Sequence, residues 1–202
     1  MSLNLPKTTE INRFVAKANF YKQAGITPKL HDLIETQIDR IAWTAKVAPT
    51  TMNISSNKTT EFQSFTIQLK SHELDNSVLL FIQKSVPYPI IFIIKGGRGC
   101  RAVAVISGVA CPVVMSTEWQ PNVSLEPRGN STDALYKNYL FQISPNLARV
   151  RGDIEKYSEM TRLKKSIGTL KMKSKKETQI NRRQDIAREC YKLELKLKDL
   201  LA

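Results

Sequence analysis

The chain has 202 residues, enough for one domain plus an appendage or for two small domains, and its 42% apolar content is ordinary for a globular protein with a sizeable core. Its formal net charge is +13 and unevenly placed: residues 149–202 hold 16 Lys and Arg against 8 Asp and Glu. No apolar run, Pro89 to Ile94 included, approaches the ~20 residues a membrane helix needs, and the start MSLNLPKTTE lacks the apolar stretch of a secretion signal. The expectation is a cytoplasmic protein with no membrane partner. Cys100, Cys111 and Cys190 lack paired spacing, so three idle thiols are expected rather than a disulfide framework.

In chain order, residues 8–20 read as a weak helix with Ile11, Phe14, Val15 and Ala18 on one side, broken by Gly25. Thr27-Pro28 reads as a cap followed by proline at the first helical position. The helix it opens is predicted to run to about Thr44. Leu30, Leu33, Ile34, Ile38 and Ile41 fall at three- and four-residue steps, and Trp43 lies near its end. Residues 48–60 are a polar loop. Phe65, Ile67 and Leu69 alternate with Thr66, Gln68 and Lys70, the period of a half-buried strand. Ser71 is expected to cap a helix whose buried stripe is Leu74, Val78, Phe81 and Ile82, ended by Pro87-Tyr88-Pro89.

Ile90 to Ile94 reads as a central strand covered on both faces. A turn over Lys95 to Gly99 should join it to a hairpin partner, Ala102 to Ile106, and Val109 to Met115 reads as an edge strand containing Pro112. After a loop over residues 116–130, Ser131 should start a helix with Leu135, Tyr139, Leu140 and Ile143 inward. Pro145 and Gly152 bracket a hinge. The fold class is therefore α/β, with α+β as the alternative: a small mixed sheet of 3–5 strands flanked by helices over residues 1–148, and a basic helical tail over 149–202.

Two short heptad seams mark the tail. Met160, Leu163, Ile167 and Leu170 form one, and Ile186, Cys190, Leu193, Leu197 and Leu200 the other. Lys171 to Asp185 carries no consistent seam. The tail is expected to fold back as a hairpin or to pair, coiled-coil-like, with a partner chain or a second copy.

Most chemistry fails on residue types. Gly97-Arg98-Gly99-Cys100-Arg101-Ala102 matches G-x-G-x-x-A in letters, but an apolar strand follows where a dinucleotide site needs a helix. His31 and His72 read as solvated residues, each at the start of a helix and far from a cysteine in ligand spacing, so no metal or cofactor is expected. Gln68-Leu69-Lys70 is the exception. Restriction-type nucleases place a Glu-x-Lys, occasionally Gln-x-Lys, on a strand followed by a helix and another strand, with Mg²⁺ on acidic oxygens and the lysine serving the attacking water. The partner aspartate should lie on a preceding strand. Upstream stand only Glu61, Asp39, Glu35 and Asp32, and the last three read as helical. The competing reading makes Gln68 and Lys70 the solvent face of an alternating strand.

The basic block is the stronger signal. Lys164, Lys165, Lys171, Lys173, Lys175, Lys176, Arg182 and Arg183 crowd into a segment opposed only by Glu177. Such density suits nucleic-acid phosphates and affinity without sequence reading. The plainer alternative is a solvated helical face that keeps the protein in solution.

Several stretches resemble the bacterial domain of unknown function family 4391: LNLPKTTEINRFVAKANFY, ITPKLHDLIETQIDRIAW, VAPTTMNI, FTIQLKSHELD, SVPYPIIFII, STEWQP and ETQINRRQDIAREC. Together they span nearly the whole chain in order. The resemblance carries no established activity or catalytic residues. What it implies is a companion of helicases and DNA methyltransferases in restriction or phage-defence islands: an accessory subunit acting on DNA or on a DNA-bound partner. Three readings stand: a non-catalytic accessory protein, a metal-dependent nuclease, and an interaction module acting through its C-terminal helices.

Overall fold

A computed structural model describes residues 3–201 apart from Ala24, Gly108, Ala110, Cys111 and Arg151. Cys111 therefore lies outside the described residues. The chain divides into two compact units, Met1–Ser107 with Val114–Pro145 and Gly108–Val113 with Asn146–Ala202.

The first unit is built on a six-stranded mixed sheet, one strand more than the upper end of the sequence expectation, in the order β1-β2-β3-β4-β5-β6. After a 3-10 turn at Lys7–Thr9 come β1 (Glu10–Val15), α1 (Ala18–Tyr21), α2 (Pro28–Gln37), β2 (Ile38–Val47), α3 (Pro49–Met52) and β3 (Phe62–Leu69). They are followed by α4 (Asn76–Ser85), β4 (Ile90–Gly96), β5 (Gly99–Ile106), β6 (Val113–Ser116) and α5 (Thr132–Ile143). β1, β2 and β3 form an antiparallel meander, α4 crosses over to a β4 parallel to β3, and β5 returns antiparallel. A β-α-β passage of this kind is what places a helix against a sheet face.

Two sequence expectations are corrected here. Residues 10–15 are strand, and the predicted helix over 28–44 ends at Gln37, where β2 begins. Both errors share a cause. β1 slips register between Glu10 and Arg13, and β2 between Ile38 and Arg40 and again between Trp43 and Ala45. A bulge adds one residue, so Ile38 and Ile41 reach the same core at a spacing of three, which imitates a helix. Asn12 sits in the β1 irregularity at φ 50°, a left-handed conformation asparagine tolerates better than most residues.

A third correction concerns the cap of α4. The Asp75 carboxylate accepts from Ser77 N at 2.8 Å, whereas the Ser71 hydroxyl donates to Glu73 O at 2.6 Å. Aspartate in this place also suits the positive end of the helix dipole. Thr27 caps α2 and Ser131 caps α5 as expected, accepting from Leu30 N at 3.2 Å and Ala134 N at 3.2 Å. β6 follows Pro112 directly and is shorter than predicted; the expected strand's Ala110 and Cys111 lie outside the described residues.

The core lies between the sheet and α2 and α4. Ile34, Ile38, Ile41, Ile67, Val78, Ile82, Phe92, Ile94 and Val103 are fully enclosed. Gln83 ties α4 to β4: its amide donates to Tyr88 O and its oxygen accepts from Ile90 N, each at 2.9 Å. The other face is closed by α5, whose Tyr139 hydroxyl donates to Leu3 O at 2.7 Å and whose ring meets Phe62 edge-on.

The second unit holds α6 (Asn146–Arg149), α7 (Ile154–Lys176) and α8 (Ile180–Leu201). Asp153 caps α7 by accepting from Lys156 N at 3.0 Å. α7 and α8 form the helical hairpin, clasped across by an ion pair from Lys171 to Glu194 at 2.8 Å. Most of the seamless stretch 171–185 is helical, and only Glu177–Gln179 interrupts it. Lysine, arginine, glutamine and methionine are good helix formers, so the missing seam did not require a missing helix. No helix among the described residues is long and apolar enough to cross a membrane.

Candidate nucleic-acid interface

The hairpin gathers five of the eight candidate cations at one end. Lys173, Lys175 and Lys176 occupy the last turn of α7, and Arg182 and Arg183 the first turns of α8. All five are exposed, and among the described residues none has an acidic partner. The turn between them is set by Glu177, whose carboxylate accepts from Gln179 N at 3.0 Å. No acid stands in the first turn of α8, where the helix dipole favours one. The tip is thus a site of concentrated positive potential that the chain does not neutralise.

The other three candidates stand apart. Lys171 is engaged by Glu194, which raises its pKa through the hydrogen bond and the charge together. Lys164 and Lys165 are exposed about two helical turns from the tip, some 12 Å along α7.

In the first unit, Gln68 and Lys70 are not brought to a common point. Gln68 pairs in register with Arg40 on β2 and Lys95 on β4, so its strand neighbours are both cationic. Lys70 is exposed just beyond β3, and its ammonium donates to Glu35 O at 3.0 Å at the end of α2. The Glu35 carboxylate itself accepts from the Tyr21 hydroxyl and pairs with Lys17 at 3.3 Å. The Tyr21 hydrogen bond, then Lys17, holds Glu35 below the usual carboxylate range, while burial and Glu35 push the Tyr21 hydroxyl up. Asp39 has moved from its expected helix to β2, where it is the extra residue of the bulge opposite Leu69 and Gln68. No group of three or more His, Cys, Asp or Glu that could hold a metal ion occurs among the described residues. His31 and His72 are exposed as expected, and the His31 ring lies 4.2 Å from that of Tyr21.

Two features escaped the sequence. The Arg101 guanidinium lies 4.8 Å over the Trp119 ring, its Nε buried without a partner, and burial lowers its pKa. Nothing short-range links an arginine in an apolar strand to a tryptophan in a loop. A hollow of about 260 Å³ is lined by Glu10, Asn12, Thr44, Ser64, Thr66 and Lys95, which is smaller than the usual ligand pocket. Its lining comes from four strands, and two of them sit in register only through the bulges.

Neither the curated proteins nor the solved structures give a match to this chain. One family model matches residues 3–197, nearly the full length, and by that match the chain belongs to the family described as domain of unknown function (DUF4391).

Proposed function

We propose that this protein is a non-catalytic accessory protein that holds the phosphate backbone of DNA on the basic tip of its C-terminal hairpin. The observation that carries this reading is the cluster of Lys173, Lys175, Lys176, Arg182 and Arg183 with no acidic partner among the described residues. Exposed cations on two helix ends make contacts to phosphate that release counterions and read no sequence. Aromatic interleaving is missing from the tip, which favours duplex over stacked single strands. A role beside a helicase or DNA-modification enzyme in a bacterial restriction or defence-type system rests on the family resemblance alone.

Five phosphate contacts give a slope of about −4.5 in log affinity against log salt, so binding should weaken about 10²–10³-fold between 50 and 200 mM salt. Fluorescence anisotropy on duplexes of unrelated sequence measures this. Affinity that ignores salt, or that is missing at low salt, overturns the reading.

A second reading, a restriction-type metal-dependent nuclease, draws support from Asp39 in the β2 bulge across from Gln68, since bulges recur beside active sites. Against it stand the cationic neighbours of Gln68 and the attachment of Lys70 to Glu35 O. Plasmid cleavage with Mg²⁺ or Mn²⁺ that disappears in both Asp39→Asn and Lys70→Ala would establish it. Cleavage surviving Lys70→Ala would discard it.

A further inference from the structure

The α7–α8 hairpin has a second apolar surface besides its seam. Along α8, Ile180, Ala187, Tyr191 and Leu195 recur at steps of seven, four and four, which puts them on one side of the helix. Three of them are among the most exposed large apolar side chains of the protein, with Ile180 at 68%, Tyr191 at 62% and Leu195 at 43%. The seam residues are different ones: Leu163, Ile167 and Cys190 are buried and Leu193 and Leu197 half-buried. Closing the hairpin therefore leaves the second stripe uncovered. A groove of about 510 Å³ runs beside it, with Leu170 and Ser174 on α7 facing Ala187, Cys190 and Tyr191 on α8. Ser174 and Ala187 are small, and a Cβ added at Gly168, nearly two turns before Ser174 on α7, would meet nothing within 4 Å. Small residues at such positions let another helix approach to the 8–10 Å of ordinary helix packing.

The charges around the groove select the occupant. On the groove's α7 bank stand Lys171 and Lys175, and on its α8 bank Glu194, which pairs with Lys171, so Lys175 is the lining charge left unpaired. Lys164, seven residues before Lys171, and Lys192, next to Tyr191, add positive charge on the same two helices. Lys164, Lys175 and Lys192 have no acidic partner among the described residues. Over residues 154–201 the hairpin carries 14 Lys and Arg against 7 Asp and Glu. A second copy would bring two such banks together, and like charges across an interface are costly. We propose that this face docks an amphipathic helix of a protein partner whose apolar stripe is flanked by Glu and Asp, in the helix-in-groove manner. The surface shares Lys175 with the basic tip but otherwise runs along the side of the hairpin, so one hairpin can hold DNA at its end and a protein along its side.

The test uses the full chain and two synthetic helices with the same leucine stripe, one flanked by Glu and the other by Lys. The Glu-flanked helix should bind one-to-one and the Lys-flanked helix should not. Tyr191→Ser and Leu195→Ser, both at exposed positions, should each weaken binding about tenfold while leaving the salt slope on DNA unchanged. Three results overturn the proposal. One is equal binding, or no binding, of the two helices. Another is binding that survives both serine variants but is lost when Lys173 and Arg182 become Glu, which marks adhesion to the tip. The third is a dimer of the chain that Tyr191→Ser dissolves, which makes a second copy the occupant.

Discussion

The sheet unit and the hairpin treat their polar groups in opposite ways. Around the sheet, several buried or half-buried polar side chains meet partners from the same unit, the buried Arg101 Nε being an exception. Glu61 is held by Lys46 at 2.8 Å and by the Gln63 amide at 2.7 Å, and Gln83 is satisfied by two backbone groups. The Asp133 carboxylate accepts from Asn57 N, Lys58 N and Thr59 N at 2.7–3.1 Å. On the hairpin, the tip cations meet no acid among the described residues, and a row of apolar side chains faces outward. Folding accounts for the first set of residues. It leaves the second set without a role, which is the physical reason for assigning the hairpin to partners and the sheet to self-support.

The sharpest way to break this contrast is to damage each region and compare. Phe92 is fully enclosed in the central strand β4, so Phe92→Ala should cost about 3–5 kcal/mol of unfolding free energy. Leu195→Ala on the open face should stay within about 0.5 kcal/mol. Urea titration followed by circular dichroism measures both. Similar losses at the two positions would mean that the exposed stripe is needed for the fold, and the contrast would fail.

Next in size is the tip. Replacing Lys173, Lys175, Lys176, Arg182 and Arg183 together with Gln should lower duplex affinity by about 10²–10³ at low salt and flatten the salt slope. The same variant should unfold at an equal or slightly higher temperature, because mutual repulsion is removed and no ion pair is lost. A large fall in melting temperature would show that those cations support the hairpin internally.

How far the sequence revealed these two regions follows from periodicity. The tail seams were legible because heptad spacing survives without tertiary information, and β3 and β4 were legible as a clean alternation and an unbroken apolar run. β1 and β2 were not, since the β2 bulge replaces the period of two by a step of three at Ile38 to Ile41, and the irregular register of β1 leaves Ile11 and Val15 half-buried four residues apart, another helical step. The β-branched and aromatic content of Ile38, Ile41, Trp43, Thr44 and Val47 was the signal that favoured a strand. The charge of the site was legible at once, but its grouping was not. That five cations meet at a tip while Lys171 is engaged depends on where the chain turns, and Glu177–Gln179 contains neither glycine nor proline to announce it. Asp39 was legible as an acid and misplaced with its strand.

A smaller effect tests the self-support of the sheet unit at its helix connection. Gln83→Ala would strip partners from Tyr88 O and Ile90 N, where β4 begins beneath α4. Leaving one buried and one partly buried backbone group unpaired should cost about 2 kcal/mol, with the mutational loss appearing in urea midpoint and little change in its slope. A cost near zero would mean that water replaces the amide there.

The smallest expected effect is also the most specific, because it has a pH signature. The three backbone amides on Asp133, Thr59 N foremost, hold its carboxyl below the usual carboxylate range. A carboxyl whose folded pKa is depressed stabilises the fold fully above its unfolded pKa of about 3.9, and that stabilisation is lost as pH falls through the folded value. Asp133→Asn retains one acceptor oxygen and loses the charge, so it should cost about 1 kcal/mol at pH 6 after allowance for its solvent exposure. The gap between wild type and variant should narrow as pH drops below about 4 and stay flat between about 5 and 7, because a neutral aspartic acid and asparagine then offer the loop nearly the same acceptor. Paired urea melts across that range measure the gap directly. A gap that widens on acidification would mean that the loop over Asn57 to Thr59 does not depend on the Asp133 charge, and that the polar groups around the sheet are less self-contained than those on the hairpin are exposed.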